Sequence, residues 1–372
     1  MGRSRGNPDR GAGRAGPPVH RDHSNLKGIM EYNPRVSAAL AAVPEDVYTL
    51  NADGSLVTQT TARERIAVTL DGLDLQPGMK VLEIGTGSGY SSALLSELVG
   101  PSGTVVTVDV VPELIERARR LHSQGGRNNV VLLAADGHEG APEGAPFDRV
   151  VAWTTPEAIP HAWVEQTRPG GLIVAPVELA GLVKTHAVVT AKVGEGHGLK
   201  GLALAQGGYV EMHGANLDQW TVPPRGVDAR AQDDQGATWW IAGAWAKEHP
   251  ADAENLLARL ADGVRTVRVF EDGDDPAEFR AWLYATHPSE LVVLGGPQGF
   301  GIGVADAAGA FLFRPVGLDA LTIGAPAEST ARGWVQEWRT AGCPGWAQVR
   351  PVLRREGSGW QVRAERSEPA HS

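Results

Sequence analysis

The chain has 372 residues, 42% hydrophobic and 21% charged, with 34 Lys and Arg against 44 Asp and Glu and a net charge of −10. That length and composition suit a soluble protein of two domains with a sizeable core. They exclude a membrane-spanning apolar run, a disulfide framework or cysteine metal site (there is one cysteine, Cys343), and the basic face that general nucleic-acid binding needs.

In chain order, residues 1–24 are rich in Arg, Gly and Pro and carry +3, which leaves −13 on the remainder. They cannot build a core and are expected to be a disordered tail or an incidental leader; with no apolar stretch they do not read as a secretory signal, and a cytoplasmic location is expected. The spacing of Leu26, Ile29, Met30, Val36 and Leu40 predicts a helix over 25–43, and another is predicted over 62–74. Next comes VLEIGTGSGY (81–90): a buried strand, a turn with Gly85, Gly87 and Gly89, and an apolar helix over 91–98. The strand TVVTVD ends in Asp109, which places a carboxylate where an open α/β sheet holds a ribose diol. A later strand, 130–134, leads to Asp136-Gly137, where a carboxylate can accept an adenine amine.

The spacing Gly-x-Gly-x-Gly departs from the dinucleotide fingerprint. Glu83, two residues before the first glycine, disfavours a pyrophosphate and tolerates a sulfonium and an ammonium. Together these point to S-adenosylmethionine; capping of nearby backbone amides is the other reading of Glu83. Strands HAVVTAK (186–192) and GYVEM (208–212) are expected to close the sheet, and His213 reads as a surface or satisfied histidine.

From about residue 215 the composition shifts, and nine of the eleven tryptophans follow. Strands are expected at 238–243, 266–270 and 291–295, helices at 250–259, 275–286 and 329–341, and hairpins at 301–316 and across EGSG (356–359). Core packing is the first expectation for the tryptophans, and for Cys343 a buried site. The acidic run 271–278 reads as a solvated helix start, with recognition of a basic leader peptide as the alternative.

VLEIGTGSGY, DGHEGAPEGAPFD (136–148), AIP (158–160) and RPGGLIVAPV (168–177) together resemble protein-L-isoaspartate O-methyltransferases over about 40–215. The resemblance implies a Rossmann-like class I methyltransferase domain over 25–214, an α/β fold, followed by a C-terminal α+β accessory domain over 215–372 concerned with peptide recognition. It implies S-adenosylmethionine contacts from Glu83, Gly85, Thr86, Gly87, Ser88, Gly89, Asp109, Val110, Asp136 and Gly137. VPEDVYTL (43–50) resembles the family's opening segment without its arginine, which implies a substrate contact at Val43.

Three features depart from that family. Its serine at the substrate carboxylate falls here at Thr61, beside Thr60; a hydroxyl is kept, a methyl is added, and helix capping is the other reading. Trp153 stands where a small residue is usual, either at the substrate or in the core. The chain also extends well beyond the methyltransferase core. In these respects it resembles the homologues that methylate a specific L-aspartate in a ribosomally made precursor peptide, in some cases one already cyclised, and lead to a succinimide. Repair of L-isoaspartyl proteins, with an accessory domain, is the alternative. No metal, nucleic acid or membrane partner is expected.

Overall fold

A computed structural model describes residues 32–367 apart from 59, 180, 215–222, 235, 298 and 324. The expected N-terminal tail, the first turns of the helix predicted over 25–43, and Trp220 lie outside the described residues.

Seven strands form the first sheet, in the spatial order 130–134, 104–109, 80–84, 147–152, 167–178, 186–193, 199–206. The first five run parallel and the last two antiparallel. The central strands are near-continuous apolar runs because helices cover both faces. Helix Arg63–Gly72 turns Ile66, Ala67 and Leu70 inward, and helix Tyr90–Val99 is buried along almost its whole length. This is the Rossmann-like fold of class I methyltransferases. Strand order reverses at Lys80–Ile84, whose neighbours are Thr104–Asp109 on one side and Phe147–Ala152 on the other. The crevice beyond the carboxyl ends of these strands is where such sheets bind ligands.

The closing strand differs from expectation. Leu199–Gln206 takes the edge, while 208–212 supplies only Val210–Glu211, paired in parallel with Thr154–Thr155. The edge strand has weak alternation: Leu204 alone is buried, and Leu202 is an extra residue at a register shift opposite Thr190 and Ala191, with its side chain out.

The second sheet has seven antiparallel strands, with helices Pro250–Asp262, Pro276–Thr286 and Ala325–Thr340 against it. Strands Ala229–Gln232 and Asp319–Ile323 join those expected from sequence. Phe270, Phe279, Phe313 and Trp338 form its aromatic centre, with ring centroids 4.8–6.4 Å apart. Its acidic stretch is structural: Asp275 caps helix Pro276–Thr286, and Asp274 pairs with Arg339. Cys343 is exposed rather than buried, on a turn with φ 54°.

The boundary at 215 does not describe the end of the chain. The final hairpin, Val349–Glu356 and Gly359–Arg366, returns to the first domain. Gly359 and Trp360 pair with Pro160 and Ile159, and Val362 bridges to Leu179. One apolar core accordingly runs from Ile173 and Val177 of the first sheet to Phe279 and Trp334 of the second domain. Gly201 permits the contact, since a Cβ there would lie 2.6 Å from the Pro351 carbonyl oxygen. Gly201→Leu is expected to overpack this seam at a cost of about 1–3 kcal/mol. Backbone amides of 359–366 should then exchange with deuterium faster while those of 104–109 stay protected; unchanged exchange in the hairpin would disprove the seam's role.

Candidate active site

The chain leaves strand Lys80–Ile84 through a glycine turn at the switch point. Gly85 adopts φ +90°, with the Thr154 side chain 3.2 Å from where a Cβ would stand. The Gly87 N–H donates to Asp109 Oδ2 at 2.8 Å, and the Val111 N–H donates to Oδ1 at 3.0 Å. Both bonds fix the carboxylate at the strand end and leave each oxygen a lone pair for a hydroxyl. Burial raises the Asp109 pKa, and the backbone hydrogen bonds only partly oppose it.

A cavity of about 80 Å³ opens here, bounded by the turn, by Asp109–Val111 and Gly137, and by 210–213. Its described lining holds two carboxylates, Asp109 and Glu211, and neither Lys nor Arg. Outside it lies a shallower cleft, and Thr61, Trp153 and Val210 line both. The two spaces therefore meet at one seam.

Behind the seam, Glu83 is fully buried. Its Oε1 accepts from Trp153 Nε1 at 2.8 Å and its Oε2 from Thr107 Oγ1 at 2.6 Å. With the Thr107 proton spent there, Thr86 Oγ1 donates to Thr107 Oγ1 at 2.6 Å. One chain of hydrogen bonds thus links the seam to the glycine turn. Burial pushes the Glu83 pKa up to about 7, against hydrogen bonds from Ser91, Thr107 and Trp153.

Comparison with known proteins bears on this geometry. Residues 21–200, just under half of the chain, match the family model described as protein-L-isoaspartate(D-aspartate) O-methyltransferase (PCMT). A protein-L-isoaspartate O-methyltransferase of Ignicoccus hospitalis is 43% identical over 118 residues, 32% of this chain and 56% of that protein. One from Methanothrix thermoacetophila is 46% identical over 117 residues, again 32% and 56%. Residues 21–200 are therefore similar to the PCMT family. The match spans about half the length of these curated relatives. A solved protein-L-isoaspartate O-methyltransferase aligns over 89% of this chain and 94% of its own, at 18% identity and a TM-score of 0.47.

Within the first domain, the structure places the sequence-predicted residues unevenly. Gly85, Thr86, Gly87, Ser88, Asp109, Val110 and Gly137 line the cavity. Glu83 does not: it carries the hydrogen-bond network behind the wall, and its partners are side chains rather than the backbone amides of the alternative reading. Gly89 packs on Ala118 instead, which leaves 3.1 Å for a Cβ. Asp136 turns away to His138, accepting from its N–H at 2.9 Å and facing Nδ1 at 2.7 Å. Burial raises the Asp136 pKa, but these hydrogen bonds outweigh it and the net shift is downward.

Val43 is 1% exposed and packs with Val36 and Leu40, so it is a core residue and not a substrate contact. Thr60 reaches only the outer cleft and donates to the Val57 carbonyl at 2.7 Å, whereas Thr61 stands at the seam. Neither caps the next helix, whose N-cap is Ala62. Trp153 is both core and wall: it is 5% exposed, bonded to Glu83, and edge-on to Tyr209. Met212, expected on a sheet-closing strand, and His213, expected as a surface or satisfied histidine after that strand, also line the cavity. Among the described residues no helix is long and apolar enough to cross a membrane, and no group of three or more His, Cys, Asp or Glu is placed to hold a metal.

The Glu83 shift has a definite sign. Its folded pKa, about 7, lies above the ordinary carboxylate value of 4.5, so the native state holds the extra proton between those values. Stability is expected to fall as pH rises through that window, by roughly 3 kcal/mol, and then level off. Trp153→Phe removes a donor to the carboxylate and should cost about 1.5–3 kcal/mol at pH 8. At pH 5, with Glu83 protonated, the loss should be smaller. Urea unfolding at the two pH values tests this; equal losses would separate Trp153 from Glu83.

Proposed function

We propose that this protein is a methyltransferase that uses S-adenosylmethionine to esterify a carboxylate of a peptide chain. The observation that carries the reading is the seam: the cavity at the glycine turn and an open cleft share Thr61, Trp153 and Val210. The cavity suits the cofactor by its charge. S-adenosylmethionine bears a sulfonium and an ammonium against one carboxylate, and the described lining offers Asp109 with no Lys or Arg of its own, its second carboxylate, Glu211, being paired with Lys184 at 2.8 Å. The Gly85–Ser88 turn admits the chain of the cofactor closely, Asp109 serves its ribose hydroxyls, and Val110 and Gly137 border the base. Bound there, the cofactor supplies an electrophilic methyl group.

The protein's own part is placement. An acceptor carboxylate is already ionised at neutral pH and needs no general base. Thr61 donates a hydrogen bond that orients it, and Trp153, held by Glu83, keeps water from the seam. Positioning of this kind accounts for much of the rate in a group transfer between two bound reactants.

For the acceptor, the names of the matched relatives support L-isoaspartyl residues of proteins. A second reading, an L-aspartate of a dedicated peptide that goes on to a succinimide, is favoured by the extra methyl of Thr61 and by the pinned Trp153, both of which reshape the seam relative to the family pattern.

Two peptides identical except for Asp or isoAsp, incubated with the protein and radiolabelled cofactor, decide between them. Methyl ester on the isoAsp peptide alone supports repair. Ester on the Asp peptide, followed by a product lighter than the starting peptide by one water, supports the second reading; label in neither, across a panel of sequences, refutes carboxyl methylation. Thr61→Val should bind cofactor as the wild type does and lose about tenfold or more in methylation, the worth of one hydrogen bond to a charged group. Asp109→Asn should weaken cofactor binding about tenfold or more in calorimetry.

A further inference from the structure

A second space lies between the two domains, of about 480 Å³ and open to solvent. Its floor is one face of helix Arg63–Gly72: Arg65, Val68, Thr69 and Gly72, at helical spacing i, i+3, i+4 and i+7. The opposite wall is helix Pro276–Thr286, whose Arg280 and Tyr284, four residues apart, both face in. Arg65, Lys184, His186 and Arg280 contribute basic side chains and no carboxylate is among the described residues that line it; Lys184 is paired with Glu211 at 2.8 Å and His186 lies 3.8 Å from Glu178 behind the wall, while Arg65 and Arg280 have no acidic partner among the described residues.

Arg280 is the telling group. It is 8% exposed, yet the one hydrogen bond described for it runs from Nη1 to the Pro315 carbonyl at 2.6 Å. A guanidinium has five N–H donors, and burying one without an acidic partner is costly unless a ligand supplies it. Beside it, the Trp346 indole N–H is buried and has no acceptor among the described residues. Val68, Phe300, Ile302 and Tyr284 supply an apolar and aromatic stretch of the wall, and Thr69, Thr190 and Gln206 are polar members of it.

The chamber is continuous with the outer cleft, because Arg65, Gly208 and Tyr209 line both. A peptide whose carboxylate rests at Thr61 therefore has a path along helix Arg63–Gly72 to Arg280. We propose that the interdomain chamber binds a second carboxylate of the peptide substrate, away from the one that is methylated, with Arg280 as its principal partner and the aromatic wall receiving an adjacent apolar side chain. This rests on the peptide-methylating reading for the ligand's identity. An acidic side chain and a chain terminus supply the same carboxylate, and the test separates them.

Isothermal titration calorimetry of the full chain without cofactor would use three probes: N-acetylphenylalanine (a terminal carboxylate), N-acetylglutamyl-phenylalanine amide (a side-chain carboxylate) and N-acetylphenylalanine amide (neither). At least one carboxylate probe should bind ten times or more tightly than the neutral amide, and the tighter of the two names the source. Arg280→Gln should abolish that preference and Arg280→Lys retain part of it. Arg65→Gln, at a more exposed position on the chamber floor, should weaken it several-fold and serves as a second variant should Arg280→Gln fail to show a wild-type melting profile. Equal binding of all three probes, full displacement of the carboxylate probe by equimolar inorganic phosphate, or a preference untouched by both Gln variants would overturn the proposal. Since no methyl transfer is read, a chain that methylates no peptide can still pass this test, and an active methyltransferase can fail it.

Discussion

Glu83 is the group on which the architecture of the site depends. A carboxylate at the centre of a parallel sheet is costly to bury, and it is kept because donors on two neighbouring strands converge on it. Thr107 lies on the adjacent strand, and Trp153 follows directly on the strand at the other side. Through Thr107 the network extends to Thr86 in the glycine turn. The wall that faces the cofactor cavity and the wall that faces the outer cleft are thereby set by one buried acid. With a pKa near 7, Glu83 changes charge close to neutrality, so the strength of its grip on Trp153 varies with pH in that range.

The second domain is bound to the first more closely than a linker at 215 implies. The chain crosses over, builds an antiparallel sheet, and sends its last hairpin back to cover Leu179 and Ile159. Helix Pro276–Thr286 packs against that hairpin, which fixes Arg280 and Tyr284 relative to the methyltransferase domain. The interdomain chamber thus has walls from both domains and a rigid reason for their spacing, the continuous apolar core.

Much of this was legible in the sequence because the signals were local. The Gly-rich turn, the Asp109 strand end and the helix that begins beyond Thr61 each follow from residues a few positions apart. Glu83 was singled out for its chemistry and misassigned in its contacts, because its partners, Thr107 and Trp153, are 24 and 70 residues away. Val43 was misread for the same reason: a motif places it near the substrate, and packing against Val36 and Leu40 decides its burial. Leu199–Gln206 escaped notice because an edge strand with a bulge lacks clean alternation. The homing of the final hairpin is a long-range pairing with no local signature at all.

Charge is segregated across the site. Among the described residues, the cavity at the glycine turn is lined by carboxylates without Lys or Arg, and the interdomain chamber by basic groups without carboxylates. The border between them is itself an ion pair: Lys184 Nζ lies 2.8 Å from Glu211 Oε1, with Glu211 lining the cavity and Lys184 the chamber. Such an arrangement favours a net-cationic ligand on one side and an anionic one on the other, with Thr61 between the two fields. In the proposed reaction, a carboxylate approaching from the chamber side moves toward a positive methyl donor, and Coulomb attraction between the two adds to positioning by Thr61, weakest where salt reaches the exposed cleft and strongest at the buried seam.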